Sequence, residues 1–353
     1  MRITALEYER YDLDLKEPYT IAYETVHKSP NIILKIITDS GLVGYGCATP
    51  DIEVTAETPE DVIRQIEGPI EGLLKGQPAF RHSYYQEQLK QTPQVGSSAR
   101  AMVDIALFDL IARKASLPLY QLLGGYRSRI ATSITIGILP LEETLERARM
   151  FLSQGFTILK LKGGLDAQAD IEKVHKLRES FGSGFALRFD ANQGFDPDSA
   201  VHFIQQTRKL GIEILEQPTP QNNPEAMREV SERVHVPVMA DESIKSLADA
   251  FHMTRQGMMD MVNIKIQKVG GILEAAHINS VAKAGGLEVM IGCLDECGLG
   301  ISAGLHFALS RPNIHFADLD GHLDLIGDRF LNLFQLKDGF LIPSDQPGLG
   351  PIP

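Results

Sequence analysis

Four apolar runs that each end in a charged residue decide the fold: ALRFD at 186–190, IEILE at 212–216, VPVMAD at 236–241 and MVNIK at 261–265. The terminal charges Asp190, Glu216, Asp241 and Lys265 follow one another at intervals of 26, 25 and 24 residues. That interval holds one strand, a loop, a helix and a second loop, which is the period of a β/α barrel. A charge at the C-terminal end of a parallel strand points into the barrel mouth, where active sites of this architecture lie. One pattern therefore predicts three carboxylates and an amine around a single centre. An earlier run, ILKLK at 158–162, adds Lys160 and Lys162 to the same end.

Outward from this stretch the alternation continues. ATSITIGI at 131–138 reads as the first barrel strand, LEVMIG at 287–292 as the seventh and HFADLD at 315–320 as the eighth. Helical stretches separate them, among them LEETLERARMFLSQG and AQADIEKVHKLRESFG, which predicts seven helices and a (β/α)7β barrel, a modified TIM barrel. Residues 1–50 read as strands punctuated by Pro18 and Pro30, with a hairpin turn at Asp39-Ser40-Gly41. From about 57 the pattern is helical, and ARAMVDIALFDLIARKA sets Ala101, Ile105, Phe108 and Ala112 on one buried stripe. The expected organisation is an α+β capping domain at 1–123, the barrel at 124–321, and a C-terminal segment at 322–353 that folds back onto the cap.

The chain has 353 residues, 43% of them hydrophobic, and a formal net charge of −12. This balance predicts a globular protein that binds neither nucleic acid nor an anionic membrane, since both need a basic surface. Three cysteines make no disulfide framework, and no secretory leader or membrane-length apolar run is evident, so a cytoplasmic setting is expected. Cys293 and Cys297 are four residues apart without a second Cys/His pair, which points to packing rather than zinc.

Asp190, Glu216 and Asp241 form an all-oxygen donor set. Such a set selects Mg²⁺, ahead of Mn²⁺ or Ca²⁺, over Zn²⁺, and leaves coordination positions for substrate oxygens. Lys160 and Lys162 share a strand face, so each is expected to lower the other's pKa towards the range of a base. Lys265 stands four strands further round. Two amines facing each other across a metal-bound carboxylate suit proton removal on one face of the adjacent α-carbon and return on the other, through an enediolate.

The segments DIALFDLIARKASLPLYQLLGG, ILKLK, FDAN, EQP, ADES, NIKIQKVGG and the late GLG resemble the enolase superfamily, in its muconate lactonizing enzyme subgroup, over the whole chain. The resemblance implies one Mg²⁺ per subunit on Asp190, Glu216 and Asp241, with Lys162 and Lys265 as the acid/base pair. It implies that Lys160 tunes Lys162 and contacts the substrate carboxylate. It gives Lys268 no such role, and implies a homo-oligomer.

Within the subgroup, Asp318 and Asp320 in HFADLDGH decide the reaction. This pair resembles the clamp with which dipeptide epimerases hold a free α-ammonium group, and a buried cation needs anionic partners. The competing readings are an exposed acidic turn, and an N-acylamino acid racemase or o-succinylbenzoate synthase on the same scaffold. Where alanyl-glutamate epimerases carry an arginine, the aligned residue is Glu24; with Asp51 and Asp295 it would make an acidic rim that attracts Lys or Arg as the second residue of a dipeptide. Thr135 on the first barrel strand is a further candidate for substrate binding, or a packing residue.

Overall fold

The structure, a computed structural model, describes residues 1–20 and 25–353. Eight parallel strands lie in sequence order: Ile134–Ile136, Ile158–Lys162, Ala186–Asp190, Ile212–Glu216, Val238–Ala240, Met261–Lys265, Glu288–Gly292 and Ile314–Asp318. A parallel bridge from Thr132 to Ala317, with Ser133 N–H donating to the Ala317 carbonyl at 3.1 Å, brings the eighth strand against the first. Seven helices make the crossovers: Leu141–Ser153, Ala167–Phe181, Pro197–Gln206, Pro224–Arg233, Leu247–Gln256, Ile272–Ala284 and Gly298–Ala308. The expected (β/α)7β barrel is present.

The strands look continuously apolar because both of their faces are covered. Outward residues such as Leu159, Leu161, Leu187 and Phe189 pack on the helices, and Phe189 meets Phe203 at 4.2 Å between ring centroids. Inward residues divide by height. Ile214, Met239, Met261 and Met290, with Phe316 against them, fill the lower barrel, and the Arg188 guanidinium lies over the Phe316 ring. Two residues past Arg188, Ile214 and Met239 the inward side chains are Asp190, Glu216 and Asp241, and four past Met261 stands Lys265. The period of two thus turns an apolar plug into a charged mouth.

In the cap, an antiparallel sheet of Ile3–Thr20, Thr25–Thr38 and Val43–Ala48 packs on helix Ser97–Ala115. Gly44 and Gly46 allow the closest approach. A Cβ at either would lie about 2 Å from a helix carbonyl, that of Ala106 or Met102. The helix is buried on two faces, not one. Ala101, Ile105 and Ala112 join the barrel core, while Met102, Val103, Ala106, Leu107 and Leu110 join a separate cap core. The prolines also differ from expectation. Pro30 pairs with Asp12 inside a strand, and it is tolerated because the third strand begins pairing only at Ile32, so one side of Pro30 is open. Pro18 falls within the register shift between Asp14 and Tyr19.

The two aspartates of DIALFDL join parts of the chain. Asp104 caps helix Ile272–Ala284 by accepting from the Ile272 and Leu273 N–H groups, and it also meets His82 Nε2 at 2.7 Å. Asp109 accepts from the Tyr45 and Leu349 N–H groups and pairs with Arg113. The C-terminal segment contacts both regions. Leu325–Ile326 pairs with Leu15 and Asp14 of the cap, and the hairpin Phe334–Lys337/Phe340–Pro343 pairs with Ile130–Ala131 before the first barrel strand. Among the described residues no helix is long and apolar enough to cross a membrane, and Cys47, Cys293 and Cys297 are free thiols.

Candidate active site at the barrel mouth

Adjacent strands bring Lys162, Asp190 and Glu216 into register, with Lys162 opposite Asp190 and Asp190 opposite Glu216. The Lys160 ammonium group is buried among carboxylates. Its Nζ lies 3.0 Å from Asp190 Oδ2, 2.9 Å from Glu216 Oε2 and 2.8 Å from Asp318 Oδ2. On the other side of the mouth, Lys265 Nζ is 2.8 Å from Asp241 Oδ2, and Lys268 Nζ bonds to the Asp241 carboxylate and carbonyl. Strands two and six are four apart in an eight-stranded barrel, so Lys162 and Lys265 rise from opposite walls. Lys162 is half-buried, and among the described residues its ammonium group has no ion pair or hydrogen bond.

The electrostatics follow from burial and pairing. Burial opposes the charge of Lys160, but Asp190, Asp318 and Glu216 hold it well above the ordinary lysine range. The expected mutual lowering of Lys160 and Lys162 therefore does not describe Lys160, because carboxylates rather than Lys162 surround it. Burial raises Asp241 less than Lys265 and Lys268 lower it, leaving it well below the usual carboxylate range. Glu216 goes the other way. Burial, then Asp190, push it far above that range despite Lys160. Asp318 stays low, because Lys160 and the Ser133 hydroxyl at 2.6 Å outweigh its burial.

Asp318 and Asp320 are 5% and 6% exposed, which excludes an acidic turn facing water. Burial and then the Asp318 charge push Asp320 upward, and its Oδ2 accepts from the Thr135 N–H at 2.7 Å. Thr135 thus touches the pair through its backbone. Asp295 is half-buried on the loop after strand seven, near enough to Asp324 to raise that carboxyl after burial has done so. Asp51 turns its carboxylate into its own loop, accepting from the Glu53 and Val54 N–H groups. Glu24 lies outside the described residues.

Several site residues escaped the sequence reading. Lys268, expected to be structural, grips Asp241. Asn263 donates to Glu216 Oε1 at 2.7 Å, and the Asn192 N–H donates to Asp190 Oδ1 at 2.9 Å. Gln217 Oε1 accepts the Asp241 and Ser243 N–H groups, tying the ends of strands four and five. The signal available was spacing. Asn263 and Ser133 stand two before Lys265 and Thr135, on the same strand faces.

Asp190, Glu216 and Asp241 are the residues that could hold a metal. In their present rotamers amines separate them, and among the described residues no three His, Cys, Asp or Glu side chains close on one point. Oxygen ligands of Mg²⁺ lie at about 2.0–2.1 Å, so binding requires these side chains to leave their amine partners and turn towards one point.

Comparison with known proteins agrees with this geometry. Residues 7–124 match the mandelate racemase / muconate lactonizing enzyme N-terminal domain, and residues 143–351 match the enolase C-terminal domain-like family. The chain is 37% identical to an L-Lys-D/L-Arg epimerase of Desulforapulum autotrophicum over 351 residues, covering 99% of each protein. The substrate-liganded L-Ala-D/L-Glu epimerase of Bacillus subtilis superimposes with a TM-score of 0.95 at 35% identity, over 99% of this chain and 98% of that one. A dipeptide epimerase of Enterococcus faecalis, solved with Mg and L-Leu-L-Tyr, gives 0.93 at 36% identity over 99% of both. The chain belongs to the enolase superfamily, in its muconate lactonizing enzyme subgroup, and is an isomerase.

Proposed function

We propose that the chain is a Mg²⁺-dependent dipeptide epimerase that inverts the α-carbon of the C-terminal residue and prefers Lys or Arg there. The observation that carries the dipeptide reading is the burial of Asp318 and Asp320 side by side at the end of strand eight. A substrate with a free α-ammonium group supplies the positive charge that two buried carboxylates call for. Lys160 already meets Asp318, so N-acylated or non-amino substrates leave Asp320 as the carboxylate without a cation beside it among the described residues.

The residues present fit the metal. Their donors are all oxygen, burial and then the Asp190 charge raise Glu216, and among the described residues Glu242 Oε2 beside Asp241 is buried without a partner. Mg²⁺ would be held by Asp190, Glu216 and Asp241, and would supply positive charge next to the substrate carboxylate. Lys162 and Lys265 exchange a proton with the α-carbon from opposite faces, and Lys160 binds the substrate carboxylate. The Enterococcus faecalis relative solved with Mg supports the choice of metal.

Overall identity does not choose the second residue, because relatives at 35–37% identity bear names with Lys/Arg, Glu and Leu-Tyr substrates. The local support is Asp295 facing Asp324 on the rim. Lys16 and Arg147 partly offset Asp324, and the preference is carried by the two carboxylates together. A homo-oligomeric, cytoplasmic enzyme completes the proposal, and light scattering tests its assembly.

The test is incubation with an L,L-dipeptide library in D₂O and Mg²⁺. Deuterium is expected at the α-carbon of the second residue, at least about tenfold faster for L-Ala-L-Lys than for L-Ala-L-Glu, the discrimination of roughly one buried charge contact. Absence of exchange in every dipeptide, with exchange in N-acyl amino acids, would transfer the assignment to the racemase alternative. Equal rates for Lys and Glu would remove the cationic preference alone.

A further inference from the structure

Gln267 lies two residues after Lys265, in the short helical turn Ile266–Val269 that also carries Lys268. Its side chain is fully buried at the boundary between cap and barrel. Its Oε1 accepts from the Thr49 N–H at 3.2 Å, and its Nε2 donates to the Cys47 carbonyl at 3.1 Å and to Glu296 Oε2 at 3.3 Å. One amide thus copies the pairing of a neighbouring strand onto the end of the cap strand Val43–Ala48, and reaches the loop after strand seven.

A second strap runs alongside. Asn31 Oδ1 accepts from the Thr49 hydroxyl at 2.9 Å and from the Cys297 N–H at 3.1 Å. The Ser29 hydroxyl donates to the Asp295 carbonyl. Glu296 Oε1 accepts from the Leu294 N–H at 3.0 Å, closing the loop on itself. The residues on either side of these straps are Lys265 in one direction and Asp295 in the other.

We propose that Gln267 is a positioning residue: it bolts the turn that directly follows Lys265 and the loop carrying Asp295 to one cap strand, so that cap docking sets both proton transfer and second-residue recognition. This rests on the epimerase reading above. The physical reason is that buried backbone groups without partners are costly, so Cys47, Thr49 and Glu296 keep the amide in a single place. A base must also stand within hydrogen-bond reach of its proton, and a displacement of about 1 Å can cost about a hundredfold in rate.

The experiment compares Gln267→Met, equal in length but without polar atoms, with the wild-type chain in Mg²⁺. Expected are at least a tenfold fall in kcat, at least a fivefold loss of preference for a cationic over a neutral second residue, and at least tenfold faster amide exchange at Thr49, Cys297 and residues 265–268. Retained folding is checked by circular dichroism. If Gln267→Met does not fold, Gln267→Asn, which keeps a shortened amide, is expected to show the same changes at smaller amplitude. A role in stability alone predicts a lower melting temperature with kcat and preference within twofold of wild type, and that result overturns the proposal. If the wild-type chain turns over no dipeptide, the epimerase reading fails separately. Amide exchange then decides, and unchanged protection at residues 265–268 and 294–297 overturns the positioning role.

Discussion

Lys160 Nζ sits 2.8 Å from Asp318 Oδ2, joining strand two to strand eight across the mouth of the barrel. The same ammonium group holds Asp190 and Glu216, so one amine links two candidate metal ligands to the candidate ammonium clamp. Binding a substrate ammonium at Asp318, or a divalent cation at Asp190 and Glu216, therefore changes the partners of Lys160. This couples the two halves of the site through a single side chain.

Asp318→Asn and Asp320→Asn are expected to lower kcat/KM for dipeptides by about ten- to a hundredfold, since a hydrogen bond to a charged group contributes about 1.5–3 kcal/mol. Steady-state rates with L-Ala-L-Lys check this. Unchanged rates would remove the ammonium clamp and favour an N-acyl substrate.

Lys162→Ala and Lys265→Ala are each expected to stop net epimerisation, with losses of about 10²- to 10⁴-fold typical of a general acid or base. Each variant should retain α-deuterium exchange on one enantiomer only, because the opposite lysine still serves its own face. Full exchange of both enantiomers in both variants would rule out the two-base mechanism.

Chelation of divalent cations is expected to abolish exchange and lower the melting temperature. An ion at a hundred times its dissociation constant contributes about 2.7 kcal/mol to a folded state that alone binds it. Differential scanning calorimetry with and without Mg²⁺ measures the shift, and an identical melting temperature would count against a resident ion.

His306 is fully buried, accepts the Tyr120 N–H at Nδ1, and is pushed by burial from 6.5 down to about 4. The unfolded chain therefore takes up this proton between about 6.5 and 4 while the folded chain does not, so stability falls as pH drops through that window. The loss approaches about 3 kcal/mol. Glu296, raised by burial to about 7, acts oppositely: its folded form binds the proton first, so stability falls as pH rises towards 7. Denaturant titrations of His306→Asn from pH 4.5 to 7.5 isolate the histidine. The stability gap to wild type should narrow as pH falls, and a constant gap would refute it.

The DIALFDL helix shows what sequence pattern can and cannot resolve. Its stripe of Ala101, Ile105, Phe108 and Ala112 was legible at helical spacing. That Met102, Val103, Ala106 and Leu107 face a second core was not, because a helix buried on two sides loses the contrast that periodicity needs. Asp51 teaches the same about loops. Its charge could be read from the sequence, but its use in the backbone turn at Glu53 and Val54 could not.

The sequence by itself determined the barrel, because a charge at the end of four successive strand runs, repeated at nearly constant intervals, is consistent with few other folds. It determined equally that Asp190, Glu216, Asp241, Lys162 and Lys265 share one end of that barrel, since alternation along a strand fixes which side chains face inward. Only the tertiary structure decided the pairing among them: Lys160 with three acids, Lys268 on Asp241, and Gln267 across the cap. Those contacts join residues up to 220 positions apart, and their distances depend on how closed sheets and a docked cap pack, which no local pattern encodes.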